Sequence, residues 1–92
     1  MIKVNKEKET VPVPKYMREG EYDQHRGQKF IYEGMEFYLV KSEKSWCITE
    51  KITKKFVVSW RKTRKQAIEE FETFVDLHCE KMKTLINYTN IH

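Results

Sequence analysis

The stretch that decides the fold is Trp46–Phe71, which reads WCITEKITKKFVVSWRKTRKQAIEEF. Trp46 to Lys51 alternates apolar and polar residues, Thr53-Lys54-Lys55 turns the chain, and Phe56 to Trp60 is a second run of β-branched and aromatic residues. Thr63, with Gln66 three positions later, has the spacing of a capping box, in which the threonine side chain accepts from the amide of the third helical residue. Beyond it, Ala67, Phe71, Phe74, Val75, His78, Met82, Leu85 and Ile86 recur at three- and four-residue steps. Glu69, Glu70, Glu72, Asp76, Glu80 and Lys83 take the other side, so residues 64–87 are expected to form one amphipathic helix. Such a helix must lie on an apolar layer, and the strands before it supply one.

Working outward toward the N-terminus, Phe30-Ile31-Tyr32 leads through the tight-turn pair Glu33-Gly34 into Met35 to Lys41, the pattern of a hairpin. All connections are too short for a parallel crossover. Residues 28–92 are therefore expected to be an α+β domain of ββββα order. Its three- to four-stranded antiparallel meander sheet packs on one long C-terminal amphipathic helix. Residues 1–27 hold both prolines, Pro12 and Pro14, together with Gly20, Gly27 and eleven charges, which is tail or linker composition. Tyr16, Met17 and Tyr22 are the residues there that could cover a sheet face.

A chain of 92 residues has room for one modest core and little for a deep substrate cavity. Its apolar runs stop at four or five residues, far short of a membrane span, and Met1 to Thr10 lacks the apolar stretch of a secretory signal. A cytoplasmic setting is expected. Cys47 and Cys79 lie 32 positions apart and fit neither a disulfide framework nor a metal knuckle, so both are read as reduced thiols. His25, His78 and His92 have no spacing that brings two together, and His78 is read as a helix-packing residue. Phosphate-binding loops, dinucleotide fingerprints and nucleophile elbows are absent from the sequence, and no cofactor, metal or catalytic residue is assigned.

The net charge of +4 is unevenly placed: residues 51–65 carry seven basic and no acidic residues, whereas residues 66–92 carry two basic and five acidic ones. Period-two alternation puts Phe37, Leu39, Trp46, Ile48, Phe56, Val58 and Trp60 on the face toward the helix. The other parity set is Tyr38, Val40, Cys47, Thr49, Lys51, Lys55, Val57, Ser59 and Arg61. With a single helix, that second face is expected to stay open to solvent and to be the working surface. Lys51, Lys54, Lys55, Arg61, Lys62, Arg64 and Lys65 cluster around it and around the helix entry. Arg64 and Lys65 oppose the helix dipole in the first turn, a local cost that an anion held there would offset.

The order of a tryptophan-bearing strand, a lysine-rich turn, a second strand and then Lys62-Thr63-Arg64-Lys65-Gln66-Ala67-Ile68-Glu69 resembles the arm-type N-terminal DNA-binding domains of tyrosine recombinases. The related plant ethylene-response DNA-binding domains share the pattern. The resemblance implies a three-stranded sheet whose face away from the helix enters the DNA major groove. By position it would give Thr49, Lys51, Lys55, Ser59 and Arg61 groove-facing roles and Lys62, Arg64 and Lys65 backbone roles, with Lys54 beside them in a turn that lacks the family's usual glycine. The sheet-then-helix order is also similar to HicB-like antitoxins. The expectation is a small non-catalytic accessory or regulatory protein of phage or mobile-element type that binds nucleic acid, duplex DNA in particular. The alternative is a protein-interaction module, such as a phage-encoded inhibitor or antitoxin-like protein, that docks on an acidic protein surface. Neither involves a membrane.

Overall fold

The computed structural model describes residues 2–15 and 17–91. Five strands, β1 (Glu9–Lys15), β2 (Arg18–Tyr32), β3 (Met35–Ser42), β4 (Ser45–Glu50) and β5 (Phe56–Arg61), precede one helix, α1 (Arg64–Ile91). They form a single antiparallel sheet in the order β1-β2-β3-β4-β5. The sheet thus has five strands, not three to four. The extra one comes from the segment whose prolines gave it linker composition. Pro12 and Pro14 lie in β1, the terminal strand of the order, where a proline is tolerated because only one side of the strand has to pair.

Short turns set the meander. Glu33 and Gly34 both take positive φ, 53° and 77°, the backbone of the two-residue hairpin that joins Tyr32 to its partner Met35. Between β4 and β5, Glu50 is buried and its carboxylate accepts from the amides of Ile52 at 2.8 Å and Thr53 at 2.6 Å, closing the turn from within. Lys54 carries the left-handed conformation there, with φ of 60°.

α1 starts as its sequence dictates, with the Gln66 amide donating to Thr63 Oγ1 at 3.0 Å. It runs four residues beyond Asn87, to Ile91, and bends at His78, whose φ of −123° leaves the helical range. Its fully buried residues, Ala67, Phe71 and Val75, all lie before the bend. Phe71 is the centre of the core: its ring meets Phe37 at 4.7 Å, Phe30 at 5.1 Å and Tyr32 at 5.3 Å, each edge-on. Leu39, Ile48, Val58 and Met35 complete this layer, and Cys79, Met82 and Ile86 pack against it from the second half of the helix.

The opposite face of the sheet is not open. β2 pairs with β1 through its first ten residues and with β3 through its last six, and Gly27 belongs to both ladders. The strand turns back on the sheet at this residue, where an added Cβ would lie 2.9 Å from Val11 Cγ2 and 3.1 Å from Val40 Cγ2. The β1–β2 hairpin therefore folds over β3 and β4, and Val11 and Val13 form a second core with Tyr38, Val40 and Cys47. Burial raises the Cys47 thiol to about 12, so it stays protonated. Tyr38 donates to Glu9 at 3.0 Å, and burial first, then this bond, raises its hydroxyl to about 12. Of the aromatic and thioether residues that could cover a face, Met17 is exposed and Tyr22 is just over a third exposed, while Tyr16 lies outside the described residues.

Candidate nucleic-acid interface

β5, its two flanking turns and the first turn of α1 carry the whole basic block, so the placement of most of these side chains follows from how β5 pairs. Trp46 faces Arg61, Ile48 faces Val58 and Thr49 faces Phe56, with the register slipping once between each pair. Each slip is a bulge that inserts a residue on β5 and inverts the facing pattern beyond it. Phe56 consequently packs in the hairpin-side core, and Trp60 meets Phe56 and His25, whereas Arg61 reaches the helix. Strict alternation had put Phe56 and Trp60 on the helix face and Arg61 on the opposite one. Two bulges, which leave no mark in an apolar–polar pattern, reverse these positions.

The expected open surface divides into three groups. Thr49 is 1% exposed beneath the hairpin and unavailable to any ligand, and Val40 and Cys47 are buried with it. Lys51 and Arg61 are neutralised by acids of other elements, and Lys65 has an acid one turn along on the exposed surface of its own helix. The Lys51 ammonium lies 3.1 Å from Glu36, Arg61 Nε donates to both carboxylate oxygens of Glu70 at 2.9 and 3.1 Å, and Lys65 is 3.9 Å from Glu69. The hydrogen bond from Arg61 holds the Glu70 carboxyl below the usual carboxylate range. Arg61 Nη1 also donates to Ser59 Oγ at 2.9 Å, so this serine is a brace for the arginine.

Lys54, Lys55, Lys62 and Arg64 form the third group. None has a carboxylate partner among the described residues, and Lys54 instead sits over the ring of Tyr22, 5.9 Å from its centroid. The block is thus two clusters, one at each end of β5, separated by roughly 20 Å of strand. The first turn of α1, at the far cluster, contains no acidic residue to compete for these cations.

Tyr22 beside Lys54 and His25 at 5.7 Å from Trp60 show that the first half of β2 runs alongside β5. Sequence reading missed Tyr22 and His25 as site residues because they lie in the segment with linker composition. The alternation of Val11 and Val13 around Pro12 was the signal that this segment is a strand. The acid between them, Asp23, is 3.7 Å from Lys15. The resulting seam offers cations at both ends and two partly exposed rings, Tyr22 at 37% and Trp60 at 36%, between them.

The remaining chemistry-bearing residues lie elsewhere. His78 is exposed at the bend of α1 and packs on Phe74 of its own helix at 4.7 Å, not in the core. Among the described residues, no three of histidine, cysteine, aspartate or glutamate are grouped to hold a metal, and no helix is long and apolar enough to cross a membrane. Between β5 and α1 lies a mostly apolar groove of about 150 Å³, walled by Phe56, Val57, Phe74, Met82, Leu85 and Ile86, with Glu50, Thr53 and Lys55 at its β-turn end. No protein-family model matches the chain, and comparison with curated proteins and with solved structures gives no match.

Proposed function

We propose that the protein is a cytoplasmic, non-catalytic nucleic-acid-binding module that takes a phosphate backbone along the seam between β2 and β5. The observation that carries this reading is the split within the basic block. Lys51, Arg61 and Lys65 are matched by Glu36, Glu70 and Glu69, while Lys54, Lys55, Lys62 and Arg64, at the two ends of one strand, have no carboxylate partner among the described residues. Unmatched cations spaced along a margin suit a polyanion, since each phosphate they neutralise releases counterions from the nucleic acid. The sheet face implied by the recombinase resemblance is not the surface used, because β1 covers it.

The test is a salt titration of binding with the four cations changed to glutamate in pairs, Lys54 with Lys55 and Lys62 with Arg64. Each pair should flatten the slope of log affinity against log salt by about one to two units and weaken binding at low salt. Lys51→Ala, which removes a cation already paired, should leave the slope within error. A slope unchanged by both pairs refutes the reading.

A protein-binding role has its own supporting observation. Phe74, Leu77 and Ile91 of α1 are 42%, 74% and 69% exposed on a helix that needs apolar residues only where it meets the sheet. If this surface is the working one, a stoichiometric protein partner survives nuclease treatment in a pull-down, and Leu77→Lys abolishes its capture.

A further inference from the structure

Resting on the nucleic-acid reading above, we infer that the strand taken in the β2–β5 seam is single, with its bases stacked on Trp60 and Tyr22. Three observations lead there. The first concerns what a duplex reader needs. Reading base edges requires a helix or a two-stranded ribbon to enter the major groove, about 12 Å wide, with free polar side chains pointing into it. The sheet face that would enter is sealed by Val11 and Val13, Thr49 is buried, and the Arg61 guanidinium is held by Glu70 and Ser59. Of the five residues given groove-facing roles, only Lys55 keeps a surface side chain without a polar partner among the described residues.

The second observation is the exposure of the rings. On this side of the sheet Tyr38 is 7% exposed, so the fold buries an aromatic there when it can. Trp60 and Tyr22 nevertheless keep more than a third of their surface in water. Trp60 meets His25 and Phe56 at interplanar angles of 62° and 69°, so neither neighbour is stacked in parallel on it. Unpaired bases present their own flat faces, and aromatic stacking is tolerant of sequence because every base has one.

The third is the interleaving. Lys54 lies over Tyr22 at one end of β5, Trp60 stands near the other end, and Lys62 and Arg64 follow at the helix entry, so two rings lie between cations along the strand. A single strand lying along β5 would meet a phosphate-binding cation at each end and a ring face between. Of the three acids on this stretch of β2, Asp23 lies 3.7 Å from Lys15 and Glu21 3.7 Å from Arg18, while Glu19 is exposed at the start of the strand. Such a site takes an unpaired strand of DNA or RNA by the same chemistry.

The experiment is fluorescence anisotropy with the full chain and three labelled probes, a 12-nucleotide oligothymidylate, a 12-nucleotide oligouridylate and a 12-base-pair duplex, at low and moderate salt. The single strands should bind more tightly than the duplex, and the stronger of the two identifies the sugar preferred. Tyr22→Ala and Trp60→Ala should each weaken single-strand binding about 5- to 150-fold, equivalent to about 1–3 kcal/mol, without changing the salt slope. Tyr22 lies on the exposed hairpin and its variant should keep the native melting curve, which guards against a folding defect in Trp60→Ala. Duplex binding as tight as single-strand binding, with both ring variants unaffected, overturns the single-strand inference and leaves the polyanion reading intact. No binding to any of the three probes at low salt overturns both.

Discussion

On the helix side of the sheet Phe71 is enclosed by Phe30, Tyr32 and Phe37, while on the hairpin side two valines, Val11 and Val13, meet Tyr38, Val40 and Cys47. Both layers are buried, yet they are closed differently. The first is an interlock of aromatic rings under a helix that covers its layer from one continuous segment. The second is a lid of small side chains that reaches its place only because β2 turns back at Gly27. Its hem is polar, with the Tyr38 hydroxyl on Glu9. The helix side should therefore hold most of the stability, and the hairpin side should be the one that opens locally.

The hardest test of this contrast is Phe71→Ala, which empties the centre of the ring cluster and should cost about 3–5 kcal/mol in denaturant melts. A loss no larger than that of a hairpin substitution would break the comparison. Gly27→Ala forces a Cβ to within 2.9 Å of Val11 and should cost about 1–3 kcal/mol by overpacking. Its diagnostic effect is at Cys47. The native thiol is buried and should resist a thiol reagent while half-buried Cys79 reacts, and the variant should let Cys47 react much sooner.

Tyr38→Phe removes the hem bond to Glu9 and should cost about 1.5 kcal/mol near neutral pH. Because the folded protein holds the Tyr38 proton up to about pH 12 against 10 for the free side chain, this residue's contribution is complete below pH 10. It is lost as pH rises toward 12, so wild type should lose stability across that window more steeply than the variant. Tyr32, raised to about 12 chiefly by its bond to Asp76, gives the same sign and persists in the variant as an internal reference on the helix side. The smallest expected effect is Thr63→Ala, which removes the helix cap and should cost about 1 kcal/mol without altering Cys47 reactivity.

How far the molecule could be read from its residues differs between the same two sides. The helix, its cap, the Glu33-Gly34 hairpin and the meander order were all legible, because each rests on interactions between residues near in sequence. The N-terminal hairpin was not, because its strand signal is two valines set among prolines and charges, and its partner layer is thirty residues away. The candidate site suffered twice from this. Thr49 was read as a surface residue when its cover lay in the supposed tail, and the β5 bulges exchanged the positions of Trp60 and Arg61.

Sequence alone determined that this is an α+β chain with a capped amphipathic helix and a basic block at residues 51–65, since periodicity, capping and charge are written locally. The tertiary structure decided which of those charges remain unmatched, because Glu36 and Glu70 reach Lys51 and Arg61 through the packing of strands and helix, whereas the Lys65–Glu69 pair is local to one helix. It likewise decided where the working margin lies. A face is open or closed according to what folds over it, and here the cover is a hairpin whose path is fixed by one close backbone approach at Gly27.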